Sequence, residues 1–101
     1  MQIAMRADGK RAVARLSGRF EVSAHREFRE TIDAALRNDD IEEVVIDLAE
    51  VVYIDSSALG MLLRLREKAN GARKKLALAS PRGVVKQALD IAHFEKLFPI
   101  V

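Results

Sequence analysis

The residues best placed to do chemistry stand together in the middle of the chain, in the stretch YIDSSALGML from Tyr53 to Leu62. Asp55, Ser56 and Ser57 are followed at once by an apolar run. A serine here can serve as a nucleophile, as an acceptor of a group transferred by another protein, or simply as a residue that favours a first helical turn. Nucleophilic work needs a base within reach. The two histidines, His25 and His93, sit at a helix start and beyond a helix end, without an evident link to Ser56, and no Gly-x-Ser-x-Gly is present. Asp47, Asp55 and a histidine lack the convergent spacing of a metal site, so neither a metal nor a cofactor is expected. The glycines at 18, 60, 71 and 83 are isolated and form no phosphate-cradling loop.

The local pattern assigns the cap to the aspartate. With Asp55 as N-cap, its carboxylate accepts from the amide of Ser57 or Ala58. Ile54 and Leu59 then occupy the two positions of a hydrophobic staple. Ser56 falls on the first helical position and Ser57 on the second. The cap needs neither serine, and a hydroxyl on the first position commonly faces solvent. Asp47 is expected to end a strand or to bond a loop amide.

These residues need elements to hold them. Residues 2–6 and 11–17 are short semi-apolar segments around Asp8-Gly9, a hairpin signal, with Gly18 expected to end the second strand. A helix over roughly 24–37, capped by Ser23, has an apolar face of Ala24, Phe28, Ile32, Ala35 and Leu36 and ends at Asn38-Asp39-Asp40. Val44 to Asp47 reads as a strand covered on both faces. The helix from about 56 to 69 carries Ala58, Met61, Leu62, Leu65 and Ala69, widened by Leu59 and Leu63, with Asn70-Gly71 as its left-handed stop. Leu76 to Ala79 is another buried strand. Ser80 and Pro81 are expected to open a short helix bearing Val84, Val85, Ala88, Leu89 and Ala92. The tail from Phe98 to Val101 supplies a possible last strand. The expected fold is α/β: a mostly parallel sheet of four to five strands with an antiparallel N-terminal edge, and helices packed mainly on one face.

Composition fits this reading. The chain has 101 residues, 50% hydrophobic and 32% charged, enough for one domain spanning 1–101. The longest apolar stretches are four to five residues, far below a membrane span. The first ten residues, MQIAMRADGK, do not read as a signal peptide. Absence of cysteine removes disulfide and thiolate chemistry and favours a cytoplasmic location. The net charge is +2, with basic residues scattered and Tyr53 the lone tyrosine, so nucleic-acid binding is not expected. Arg73-Lys74-Lys75 reads as a solvated turn.

Tyr53 to Leu63 resembles the Asp-Ser-[Ser/Thr]-[Gly/Ala]-Leu-Gly signature of the STAS domain, and more specifically that of bacterial anti-sigma factor antagonists. The likeness extends in order over LSGRFEVSAHREFRETIDAAL, VVIDLAEVVYIDSSALGML and LALASPRGVVKQALDIAHFEKLFPIV. It implies a non-enzymatic binding module with Ser56 as phosphoacceptor and Ser57 as the neighbouring alternative. It implies an anti-sigma factor that is itself a serine kinase as partner, and a PP2C-type phosphatase that reverses the modification. The unmodified form would bind the anti-sigma factor and free a sigma factor. The implied partner face comprises Gly18, Arg19, Phe20, Glu21 and Ser23 on the loop side, then Asp55, Ser56, Ser57, Leu59, Gly60 and Arg64 along the following helix. Arg64 and Lys68 share a stripe at i, i+4, ordinarily a solvated face. Ala58 stands where glycine is frequent in the family, and Arg19-Phe20-Glu21 where many members carry Glu-Leu-Asp. The same fold also serves as an accessory subunit of lipid-trafficking ABC transporters, the alternative reading. A small serine hydrolase is the third.

Overall fold

The computed structural model describes all 101 residues. Strand β1, Gln2–Asp8, turns back through Gly9, whose φ of +65° suits the residue without a Cβ, into β2, Arg11–Phe20. The pair is antiparallel from Gln2↔Ser17 to Asp8↔Arg11. Strand β3, Glu43–Ile54, then lies parallel to β2, and β4, Lys75–Ala79, parallel to β3, giving the order β1-β2-β3-β4. Helices α1, His25–Leu36, α2, Ser56–Gly71, and α3, Gly83–Ile91, follow β2, β3 and β4 respectively. The expected mixed sheet with an antiparallel first edge is thus the observed one.

Alternation along the strands separates two apolar layers. Ala12, Ala14 and Leu16 on β2, Val44, Ile46 and Leu48 on β3, and Leu76 and Leu78 on β4 join a cluster of 24 buried residues. All three helices contribute to it: Phe28 and Ile32 from α1, Ala58, Met61, Leu62, Leu65 and Ala69 from α2, Val85 and Leu89 from α3. The opposite face holds only the small group Val13, Val45 and Ala77, with Ala79 beside it. The helices therefore cover one face, and the other is left to cross-strand ion pairs such as Arg15–Asp47 at 3.6 Å.

Several local expectations are corrected. Gly18 does not end β2. It takes φ +95° at a register shift between β2 and β3, and the strand runs on to Phe20. Ser23 does not cap α1, because Val22–Ala24 forms a 3-10 turn and α1 enters from Ala24, without a side-chain cap. Helix α2 continues through Gly71, and the left-handed residue that follows is Arg73, with φ +59°. Ser80 takes φ +56° and Pro81 precedes the helix, so α3 starts at Gly83 after Arg82. Strand β3 extends well past Asp47, since Asp47 accepts a bond from the Ala49 amide at 3.0 Å inside the strand rather than closing it. Leu63 is more than a third exposed and lies at the rim of the α2 stripe, and Val84 is exposed on α3. The tail makes one bridge, Leu78↔Ile100, instead of a full strand, while Phe94 and Phe98 stack at 5.2 Å beneath it.

Leu62 is completely buried at the centre of the α2 stripe. Removing its isobutyl group leaves a cavity among neighbours held by both sheet and helices. Leu62→Ala is expected to cost about 2–5 kcal/mol, read as a shift in the denaturant midpoint at an unchanged slope.

Candidate functional site

The site forms where β2 and β3 end and α2 begins. The Asp55 amide donates to the Phe20 carbonyl at 3.3 Å, which ties the start of α2 to the end of β2. Asp55 is extended, with φ −110° and ψ 177°, and its Oδ1 accepts from the Ala58 amide at 2.8 Å. Its carbonyl accepts from the Leu59 amide at 3.2 Å, the first bond of the helix ladder. Ile54 and Leu59 both pack against the core cluster, at the places expected for a staple. One aspartate thereby anchors the turn on both sides.

Ser56 and Ser57 are exposed on the first two helical positions. Neither hydroxyl takes part in a side-chain hydrogen bond, whereas the Asp55 carboxylate is committed. The hydroxyls sit at a helix N-terminus, where unpaired amides and the helix dipole favour negative charge. Neither histidine is hydrogen-bonded to them: His25 lies at the start of α1, and the His93 ring faces Glu95 at 3.5 Å. No three His, Asp or Glu side chains converge in a way that could hold a metal ion.

The other expected contact residues divide by burial. Phe20 is fully buried, its ring 5.0 Å from that of Phe28, so it supports the face from beneath and offers no side chain to a partner. Gly18, Leu59 and Gly60 are half-buried, Glu21 likewise, and Ser23 is exposed on the 3-10 turn. Arg64 is exposed without an acidic partner. Lys68, which the stripe pattern groups with it, instead pairs with Asp33 of α1 at 3.1 Å. A groove of about 280 Å³ lies between α1 and α2, lined by His25, Phe28, Arg29, Met61, Arg64 and Lys68 among others.

One feature of the site escapes the sequence pattern. The Arg19 guanidinium stands over the Tyr53 ring at 4.0 Å and its Nε lies 3.3 Å from the Glu21 carboxylate. Arg19 and Tyr53 become neighbours through the shifted register after Gly18. The bulge that creates this pairing leaves no trace in apolar periodicity.

A family model described as "Mlab, STAS domain" matches residues 3–100. The chain belongs to the STAS domain family. A STAS-domain containing protein of Pseudomonas aeruginosa is 39% identical over 94 residues, covering 93% of this chain and 91% of that protein. An anti-sigma F factor antagonist of Paenibacillus polymyxa is 27% identical, over 99% of this chain and 86% of that one. Among solved structures, unphosphorylated SpoIIAA superposes with a TM-score of 0.78 at 16% identity, covering 99% of this chain and 87% of its own. Its phosphorylated form, from Bacillus, gives 0.76 at 15% identity, over 99% and 91%. The STAS fold accounts for the placement of the Asp55 turn at the carboxyl ends of parallel strands, where α/β sheets commonly meet ligands and partners.

Because Asp55 alone caps α2, Asp55→Ala is expected to destabilise this STAS domain by about 0.5–2 kcal/mol. Equal thermal and denaturant midpoints for the variant and its parent would remove Asp55 from that role.

Proposed function

We propose that this STAS domain is an anti-sigma factor antagonist, a binding module rather than an enzyme. In this reading its unphosphorylated form binds an anti-sigma factor with serine kinase activity, and a sigma factor is released. Ser56 accepts the phosphoryl group, with Ser57 as the neighbouring alternative, and a PP2C-type phosphatase returns the hydroxyl. The protein then works in the cytoplasm. No helix is long and apolar enough to cross a membrane, which is consistent with that setting. The observation that carries the proposal is the uncommitted Ser56 hydroxyl, exposed on a turn whose cap is already supplied by Asp55. The Paenibacillus relative, an anti-sigma F factor antagonist, and the likeness to SpoIIAA in both of its forms support it.

The turn suits such a switch physically. A phosphoserine carries about −1.5 to −2 charges at neutral pH. At the start of α2 the free amides and the dipole accommodate that charge, so the helix need not melt. A partner surface that closes over a neutral hydroxyl would instead have to desolvate an anion beside the Asp55 carboxylate. Such a penalty runs to several kcal/mol unless new cations answer it. Binding is then lost through surface charge alone, with the core untouched.

Ser56→Ala is expected to fold normally, to bind the anti-sigma factor like the parent and to accept no phosphate at this position. Ser56→Asp is expected to fold, because an acid in the first turn suits the dipole, and to bind at least about tenfold more weakly, or about 1.4 kcal/mol. The phosphoprotein, with the larger charge, should bind more weakly still. Titrations of all forms against the partner at fixed salt, with circular dichroism as the folding control, check this. Equal affinity of parent and phosphoprotein would overturn the switch and turn the assignment to a transporter accessory subunit.

A further inference from the structure

The two edges of the sheet are finished differently. Along β4 the C-terminal segment closes the edge. The Leu78 amide donates to the Pro99 carbonyl at 2.9 Å, the Val101 amide to the Leu78 carbonyl at 2.8 Å, and the Ser80 amide to the Val101 carbonyl at 2.9 Å. Along β1 nothing does so. β1 pairs with β2 through all seven residues, and no strand lies on its outer side. A strand has backbone donors and acceptors on both edges, so alternate residues of β1 point theirs away from the sheet. Proteins ordinarily blunt such an edge with proline, charged side chains (lysine above all), a bulge or a covering segment, and the charges of β1 are Arg6 and Asp8, towards one end of the strand. The sequence QIAMRAD contains neither proline nor lysine, and its pairing with β2 runs without a register shift from Gln2 to Asp8.

The side chains of β1 are sorted by face. Ile3, Met5 and Ala7 pair with Leu16, Ala14 and Ala12 of the main core, so they stand on the helix side. Gln2, Ala4, Arg6 and Asp8 stand on the helix-free side, Arg6 opposite Val13. On the helix side α1 does not reach the edge. A groove of about 360 Å³ is left there, lined by Met5, Ala7, Thr31, Ala34 and Ile41 among others, and Met5 is 39% exposed in it. The edge thus presents an apolar row on one face, a polar row on the other, and unpaired backbone between them.

We propose that β1 is a self-association edge, at which a second copy of this chain adds its own β1 antiparallel across a two-fold axis at Met5. The register follows from the faces. Antiparallel partners share a face only when their residue numbers sum to an even value, and a sum of ten pairs all seven residues of the strand. Ile3 then meets Ala7 of the second copy, and Met5 meets Met5. The apolar rows join into one strip that continues the core between the two α1 helices. Arg6 meets Ala4, and Asp8 meets Gln2. Sliding by one pair in either direction shortens the overlap to five residues and brings Arg6 opposite either Arg6 or Gln2. The two four-stranded sheets become one of eight strands, with both helical layers on the same side. None of the residues of the proposed switch lies on β1, so the dimer presents two copies of it to partners.

One added strand per copy is a modest contact beside the 1,200–2,000 Å² or so of stable complexes, so the dimer is expected to be weak and its population to follow the concentration. Sedimentation velocity from about 1 μM to 1 mM should show the parent passing from monomer to dimer. Met5→Lys places two ammonium groups face to face on the axis and should raise the dimer Kd at least tenfold. Glu67→Gln, an equal gain of one positive charge at an exposed position on α2, should leave it unchanged. Circular dichroism confirms folding, which the exposure of Met5 permits. The chain has no cysteine, so Met5→Cys carries a unique thiol, and a short bismaleimide should join two copies through it. A parent that stays monomeric to about 1 mM overturns the proposal. So does a dimer that Met5→Lys leaves intact or that Glu67→Gln weakens equally, or one in which Met5→Cys is not cross-linked.

Discussion

The bond from the Ala58 amide to the Asp55 carboxylate, with the bond from the Asp55 amide to the Phe20 carbonyl, is the constraint on which the rest of the site depends. It joins the end of β2, the end of its parallel neighbour β3 and the start of α2, the helix that follows β3. A helix entering at this point has first amides without helical partners, and one carboxylate takes that of Ala58 without help from the serines beside it. The division of labour leaves the hydroxyls exposed on a rigid mount. A group held by packed secondary structure meets a partner in one geometry and loses little freedom on binding.

The energetics behind that mount are lopsided. Every large buried side chain belongs to the sheet–helix layer, and the opposite face has only Val13, Val45 and Ala77 under its ion pairs. Exposed ion pairs such as Arg15–Asp47 contribute at most about 1 kcal/mol each, whereas a buried leucine contributes several times that. Stability is therefore concentrated between the sheet and its three helices. Ser56 and Ser57 beside the Asp55 cap, and the rim residues Arg19, Ser23 and Arg64, can vary in charge without loosening the fold. A surface whose charges are nearly independent of folding is well suited to partner selection.

The rim has its own internal order. Arg19 lies between the Tyr53 ring and the Glu21 carboxylate, and Lys68 bridges α2 to Asp33 of α1. Arg64 between them is unpaired. The charge that faces outward along this side is thus fewer than the basic residues counted from the sequence, since some are already engaged within the domain.

Much of this was legible in the amino-acid order alone. The capping role of Asp55, the buried stripe of α2, the Asp-Gly hairpin and the alternation of strands with helices all rest on interactions within a few residues, where spacing fixes which groups can meet. The class of sheet and the side on which the helices pack followed from the same patterns. Other features depended on contacts distant in sequence. Ser23 and Ser80 have the residue type of a cap and do not act as one, because the chain reaches α1 through a 3-10 turn and α3 only after Arg82. Gly18 looks like a strand end and is a bulge, since β3 offers β2 partners beyond it. Arg19 over Tyr53, Lys68 on Asp33 and the open edge of β1 exist only once the strands are in register and the helices are seated. Spacing along the chain decides local bonds, and tertiary packing decides which exposed groups remain free to meet something else.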